Sequence, residues 1–275
     1  GHRPLIDAYG LCVLPRSYAI RGFCMRILVT NDDGIESRGI HALVHAMRRL
    51  GDVIVIAPDR QQSAVGHALT VASPLRATPF SRDGEVIGWA INGTPADCVK
   101  LGVSTLLEQR PDMIISGINH GSNTSVNAIY SGTVSAATEG TLMGIPSMAV
   151  SLATFDESAD MSLAAEVAYD VASRLLSLDL PLGTLLNVNV PPIPRDDFKG
   201  LRVTRQGHSE WKDRYDVRLD PHGKPYYWLT GDFVTVTELE DADDIVVANG
   251  WASITPLHYE LTNFNILETL RDQFV

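Results

Sequence analysis

The residues of this chain best suited to chemistry are Asp32 and Asp33, adjacent acids that follow the apolar run Ile27-Leu28-Val29 and precede Gly34. Neighbouring side chains on a strand point to opposite faces, so the two carboxylates converge only where the chain has already turned. Gly34 permits that turn. Two carboxylates about 4–5 Å apart repel by roughly 3–4 kcal/mol at an effective dielectric of about 20. A divalent cation removes that penalty, and hard oxygen ligands suit magnesium or manganese. The competing reading is a capping or turn aspartate beside a solvated neighbour.

Further polar groups follow the next apolar runs. Ser63 lies in Asp59-Arg60-Gln61-Gln62-Ser63-Ala64-Val65-Gly66-His67, after Val53–Ala57. Its hydroxyl either reaches a metal or makes a turn hydrogen bond. Asn119 and Asn123 lie in the loop that follows Met113-Ile114-Ile115. Asn119 offers a carbonyl oxygen as a hard ligand and Asn123 an amide donor; ordinary turn chemistry is the alternative for both. Tyr130-Ser131-Gly132-Thr133-Val134 opens a helix with Ser131 as its N-cap. Either Ser131 only caps, or the free N–H groups and positive end of that helix cradle a phosphate. In the second case Gly132 admits the anion, and the Ser131 and Thr133 hydroxyls donate to it.

The elements that must position these groups alternate strand and helix. Ile40, Leu43, Val44, Met47 and Leu50 recur at helical spacing, which predicts a helix from Gly39 to Leu50 ended by Gly51. Val53–Ala57 is a second strand, and the strand–helix–strand run makes a right-handed βαβ unit. Residues 69–91 read as β structure with a turn at Ser81–Gly84. Thr94 and Pro95 suit the N-cap and first position of a helix in which Cys98 packs inertly. Strands follow at Met113–Ile115, Ser147–Val150 and Leu185–Val190, with a helix over 160–177. From residue 197 the composition turns to short strands and turns; the acidic run Glu238–Asp244 reads as a solvated loop and 263–275 as a closing helix.

The expected fold is α/β, a doubly wound, mostly parallel, Rossmann-like sheet over 25–196 with a β-rich C-terminal extension over 197–275 that serves subunit contact. Ligands of such a sheet bind just beyond the carboxyl ends of its strands, so the loops bearing Asp32, Ser63 and Asn119 share one rim. Residues 1–24, which open Gly-His and lack the apolar region of a signal peptide, are expected to be a cloning scar and N-terminal extension outside the fold.

Bulk properties narrow the partners. A net charge of -11 and a pI near 5.1 disfavour stable nucleic-acid binding through a broad basic surface. A phosphate substrate therefore needs local help from a metal or a helix start. Cys12, Cys24 and Cys98 show neither metal-ligand spacing nor an even framework, which suits a reduced, cytoplasmic setting. No apolar run reaches the roughly 18–20 residues of a membrane span. The triplets beginning at Asn92 and Asn123 match the glycosylation pattern by chance.

Taken together, Met25–Gly34, Ala57–Ser63, Ser116–Asn119 with Gly121 and Asn123, and Tyr130–Ala137 with Glu139-Gly140 resemble the SurE survival-protein family of nucleotidases. Asn187–Pro191 and Ser253–Leu257 are similar too, so the likeness runs from about Met25 into the C-terminal region; 208–245 match least. The resemblance implies a metal-dependent phosphomonoesterase acting on nucleoside 5′- and 3′-monophosphates, with exopolyphosphatase activity on short polyphosphate in some members. It implies one divalent cation per subunit, magnesium or manganese, held by Asp32, Asp33, Ser63 and Asn119. It also implies phosphate contacts from Asn123, Ser131, Gly132 and Thr133, and a C-terminal part exchanged between subunits of a homodimer or homotetramer.

Rival chemistries fit less well. A receiver domain needs an aspartate where this chain has Ser116–Asn119, and a haloacid-dehalogenase-type phosphatase needs Asp-x-Asp. Neither a P-loop nor a Gly-x-Gly-x-x-Gly is present. The alternative from another class is a non-catalytic nucleotide-binding regulator.

Overall fold

The computed structural model describes residues 25–274 apart from 83, 237 and 238, together with residues 5–6 and 12–13. Leu5–Ile6 (β1) and Cys12–Val13 (β2) pair antiparallel; the rest of the expected N-terminal extension lies outside the described residues. The body begins β3 (Met25–Thr30), α1 (Arg38–Met47), β4 (Gly51–Pro58), β5 (Ala77–Arg82), β6 (Glu85–Ile91) and α2 (Pro95–Leu101). It continues β7 (Met113–His120), α3 (Asn127–Tyr130), α4 (Gly132–Leu142), β8 (Ser147–Leu152), α5 (Ser162–Leu175) and β9 (Thr184–Val190). The last elements are β10 (Leu201–Val203), β11 (Glu210–Leu219), β12 (Pro225–Val234), α6 (Asp243–Ala248), β13 (Ala252–His258) and α7 (Phe264–Phe274).

Nine strands form one sheet in the order β10-β13-β9-β8-β7-β3-β4-β6-β5. All pairings within it are parallel except β13 with β9 and β5 with β6. The apolar runs are continuous because both faces are covered. On one face Ile27, Val29, Val55 and Ile115 pack with Ile40, Leu43 and Met47 of α1 and with Val167 and Val171 of α5. On the other, Leu28, Ile56 and Ile114 meet Cys98 and Val99 of α2 and Ala136 of α4. Each such side chain contributes about 1.5–3 kcal/mol by leaving water. Truncating Leu28, which is fully buried, to Ala would cost about 2–5 kcal/mol.

The doubly wound, mostly parallel sheet is therefore as expected, and three details differ. Within the expected β stretch 69–91, strands begin only at Ala77, because Pro74 and the tie of Thr70 N–H to the Asp97 carboxylate hold the preceding residues in a loop. Residues 197–275 do not form one appendage: β13 lies between β9 and β10 inside the main sheet, and only the antiparallel ribbon β11–β12 stands apart. The acidic run is not wholly a solvated loop, since its Asp243 is fully buried and begins α6. Backbone N–H groups from two other segments replace its water. Among the described residues no helix is long and apolar enough to cross a membrane.

Candidate active site

The strand order reverses at β3, whose neighbours are β4 on one side and β7 on the other. A crevice opens beyond the carboxyl ends of strands at such a switch point. Here Asp32 and Asp33 leave β3. Asn31 pins the turn through its Nδ2, which donates to Gly34 O at 2.9 Å and to Ser37 Oγ at 2.8 Å. Ser37 in turn caps α1, so the acidic turn and that helix share one anchor.

Asp32 is buried, and both its oxygens are engaged by a single residue of α4. Thr133 N–H donates to Oδ2 at 3.1 Å, and the Thr133 hydroxyl donates to Oδ1. Burial pushes the Asp32 carboxyl up to about 6, with the Thr133 hydrogen bonds opposing and the charge of Asp33 reinforcing the rise. Gly132 makes the arrangement sterically feasible. A Cβ there would lie 2.8 Å from Asp32 Cβ and 2.9 Å from its Oδ2. The close approach that Gly132 permits is thus that of Asp32, and Thr133 serves Asp32, where the resemblance implies phosphate contacts for both. A carboxylate at a helix start is itself a favourable placement of charge.

Asp33 is less committed. Its Oδ2 accepts His120 N–H at 3.2 Å, and among the described residues its Oδ1 accepts nothing. Burial raises its carboxyl, with the His120 N–H opposing. His120 follows Asn119, which reaches the rim through an irregularity: Ser116 pairs with Ala149 but Asn119 with Ser151, leaving one extra residue in β7. Such a bulge re-aims side chains at the end of a strand. Asn119 is buried and its Nδ2 donates to Gly121 O at 2.7 Å, which leaves its Oδ1 for another partner.

Ser63 lies one residue beyond Gln62, whose N–H donates to Asp32 O at 2.7 Å. Its exposed hydroxyl accepts from Gln61 Nε2 at 2.9 Å. Each loop carrying a candidate ligand is therefore tied to the acidic turn within one residue of that ligand.

Ser131 caps α4, accepting Val134 N–H at 3.1 Å, and so keeps its own proton to donate. Asn123 is buried in a polar network. Its N–H donates to Asn189 Oδ1 at 2.7 Å, its Nδ2 to Ser151 Oγ at 2.8 Å, and Asn187 Nδ2 donates to its carbonyl at 2.8 Å. One proton of the Asn123 amide is thus already used.

Three groups escape sequence reasoning. Glu139, the sole charged side chain of α4, is buried and receives Lys100 Nζ at 2.5 Å and His67 Nε2 at 2.9 Å. Burial pushes its carboxyl up, and the bonds and charges of His67 and Lys100 more than offset this, leaving it below its usual range. Asp97 completes a capping box with Thr94 and accepts Thr70 N–H at 3.0 Å. Together with Gly66 N–H on Tyr130 O at 3.1 Å, these contacts fasten the exit of the Ser63 loop to α2 and to the start of α4. A lone acid in a helix of small residues is the signal that could have exposed Glu139. Asp243, in the acidic run, is the third.

The donor set suits a hard cation. Asp32 and Asp33 form no ion pair among the described residues, and burial raises both carboxyls. All four candidate ligand atoms are oxygens, the preference of magnesium or manganese. Among the described residues no group of three or more His, Cys, Asp or Glu side chains could hold a metal, so any ion here would rely on Ser63 and Asn119 to complete its shell.

A family model described as "Survival protein SurE" matches residues 27–213. A protein named 5′-nucleotidase SurE from Syntrophobacter fumaroxidans is 48% identical over 246 residues, covering 90% of this chain and 98% of the relative. One of the same name from Flavobacterium psychrophilum is 42% identical over 247 residues, covering 90% and 96%. The crystal structure of a SurE protein from Aquifex aeolicus superposes with a TM-score of 0.79 at 41% identity, covering 90% of this chain and 99% of that one.

Proposed function

This chain belongs to the survival protein SurE family, and on that footing we propose that it is a phosphomonoesterase releasing phosphate from nucleoside 5′- and 3′-monophosphates. Short polyphosphate is a further substrate in this reading, and one magnesium or manganese ion per subunit assists. The observation that carries it is the pair Asp32–Asp33 at the switch point, without a cationic partner among the described residues and with Asp32 seated on the start of α4.

Asp32, Asp33, Ser63 and Asn119 would hold the cation. A divalent ion held there would supply charge neutralisation at the phosphoryl oxygens and lower the pKa of the attacking water. Phosphate-monoester hydrolysis is among the slowest uncatalysed reactions, so electrostatic stabilisation must provide most of the acceleration. The chain's own residues divide the remaining work. Thr133 fixes both oxygens of Asp32, which makes that carboxylate a rigid ligand. Asp33, whose Oδ1 accepts no hydrogen bond among the described residues, would take the proton of the attacking water. The Ser131 hydroxyl, whose oxygen already accepts from Val134, donates its proton to a phosphoryl oxygen.

Subunit association is part of the proposal. The ribbon β11–β12 leaves Tyr215, Val217, Leu219, Tyr227, Trp228 and Leu229 exposed, and α7 buries none of its residues while exposing Phe264, Ile266 and Leu270. An isolated two-stranded ribbon is marginal in water, and contiguous apolar surface marks a contact site. A homodimer or homotetramer built through these elements supplies the missing cover.

The test is phosphate release from a nucleotide panel by chelator-treated protein, with and without added manganese or magnesium. Activity is expected only with the ion. Asp33→Asn is expected to lower kcat by at least about a hundredfold with the fold retained. Near-wild-type turnover in that variant at saturating manganese would remove Asp33 from the chemistry.

A further inference from the structure

Asp243 lies outside the ligand set described above, yet its carboxylate gathers two other segments onto its own. Ser125 N–H donates to both of its oxygens at 3.1 Å, Gly207 N–H to Oδ1 at 2.9 Å, and Asp244 N–H to Oδ1 at 2.9 Å. The Ser125 hydroxyl adds a longer contact of 3.4 Å. Gly207 belongs to the root of the ribbon, and Ser125 lies between Asn123 and Ser131. Two more bonds run the same way: Gln206 Nε2 donates to Ser125 O at 2.8 Å, and Trp211 Nε1 to Asn127 Oδ1 at 2.7 Å.

We propose that Asp243 is a positioning residue for the substrate side of the site, fixing the segment between Asn123 and Ser131 from the root of the C-terminal ribbon.

Residues 124–129 are otherwise bonded largely within their own turn, Asn127 N–H to Thr124 O, Ala128 N–H to Ser125 O and Ile129 N–H to Val126 O. Such a turn keeps its shape but not its place. Packing of Ala128 against Val134 and Ala137 holds it from the core, and Asp243, Gln206 and Trp211 hold it from the ribbon root. Ser125 also sits at φ 52, a left-handed conformation that a non-glycine residue rarely adopts unless its surroundings impose it. Asp243 imposes it by accepting the N–H presented in that conformation. Gly207 admits the carboxylates: a Cβ there would collide with Ser125 Oγ and Asp244 Oδ1.

The chemistry requires an acid in this position. A carboxylate offers two acceptor oxygens and no donor, and so meets N–H groups arriving from several directions. Asparagine would turn an NH2 group onto one of those donors. The residue that pays for burial without an ion pair among the described residues is thus one that no neutral isostere replaces. Its effect falls on the hydroxyl of Ser131 and the amide of Asn123, because the held segment joins them. The ribbon that carries the exposed aromatic surface is held by the same atoms, so seating of the ribbon on a partner subunit bears on the substrate side as well.

The inference rests on the reading of this site as a phosphomonoesterase, and the experiment separates the two. The full-length Asp243→Asn protein is compared with wild type for hydrolysis of AMP and of p-nitrophenyl phosphate, inhibition by inorganic phosphate, and activation by manganese. Expected are a rise of about tenfold in both KM values and in the phosphate inhibition constant, with kcat and the manganese constant within about twofold. Hydrogen exchange of a peptide covering 124–131 accelerates while that of 25–35 does not. A stable variant with unchanged KM and phosphate inhibition overturns the assignment even if its melting temperature falls. Should Asp243→Asn not fold, Trp211→Phe and Gln206→Ala are expected to raise KM about two- to fivefold; unchanged KM in both overturns it equally. A wild-type chain that releases no phosphate counts against the proposed function, whereas an active wild type with an unmoved variant counts against Asp243 alone.

Discussion

Replacing Thr133 with Val keeps the volume of a fully buried side chain and removes one hydroxyl. That hydroxyl donates to Asp32 Oδ1, while the backbone N–H on Oδ2 survives the substitution. A hydrogen bond to a charged group contributes about 1.5–3 kcal/mol. One pKa unit corresponds to about 1.36 kcal/mol, so the Asp32 carboxyl is expected to climb about one to two units from its value of about 6. At pH 7 the wild-type group is then about nine-tenths ionised and the variant's only about one half to one tenth. A cation must displace whatever proton it finds, so the variant's apparent manganese affinity falls about twofold to tenfold at pH 7. The gap closes near pH 9 and widens to about tenfold or more at pH 5. The sign of the stability effect follows from the same shift. A carboxyl whose folded pKa is raised contributes stability that is fully present below its ordinary value of 3.8 and is lost as pH rises through about 6. Chelated wild type should therefore lose stability relative to Asp32→Asn across that window. The assay is a manganese titration of phosphate release at pH 5 to 9. An activation constant raised by the same factor at every pH, or not raised at all, refutes the reasoning, since lost packing carries no pH signature.

Gly132→Ala places a methyl group against Asp32, whose Cβ is 2.8 Å away, with Pro95 Cγ 3.2 Å behind it. Overpacking of that kind costs about 1–3 kcal/mol, and a displaced carboxylate lowers kcat about a hundredfold; a crystal structure or a melting curve showing an undisturbed, fully active variant would contradict it. Glu139→Gln is expected to lower stability at pH 7 by about 1–3 kcal/mol, because the buried charge loses its bonds to His67 and Lys100. Glu139 titrates below its ordinary 4.5 when folded, so its contribution is present above that value and is lost as pH falls through the lower folded one. The difference between variant and wild type should accordingly shrink in acid, which urea melts at pH 3.5 and 7 would reveal or exclude.

What is legible in the chain is its periodic part. Ile27–Val29, Val53–Ala57 and Met113–Ile115 are apolar without alternation because helices cover both faces, and that pattern alone implies a parallel sheet. The N-caps Thr94 and Ser131 are legible for a local reason: each bonds an N–H three residues ahead. The illegible part is long-range. Asp243 is bonded to Ser125 across 118 positions, and a stretch as acidic as Glu238–Asp244 reads as solvated until those donors arrive. β13 joins the main sheet by pairing Ser253–His258 with Thr184–Asn189, a register that no turn signal announces.

The same limit explains why Gly132 and Thr133 suggest phosphate contacts when only the sequence is in view. A glycine and a threonine at a helix start do suit an anion, and among the described residues they meet the carboxylate of Asp32. The helix thereby opposes part of the cost of burying that carboxylate, and it does so without neutralising it, since Asp32 still titrates near 6. A residual negative charge held rigidly beside Asp33 is what a divalent ion needs. On the proposed function, the substrate phosphate would be left the Ser131 hydroxyl and whatever the 123–131 segment presents, so the anchoring of that segment by the ribbon root would bear on substrate binding. The charge of the site is thus arranged in two tiers, one fixed by α4 from within the core and one by the C-terminal arm from outside it. Substitutions in the first tier should change the demand for metal and its pH dependence, and those in the second should change KM for every phosphate ester alike.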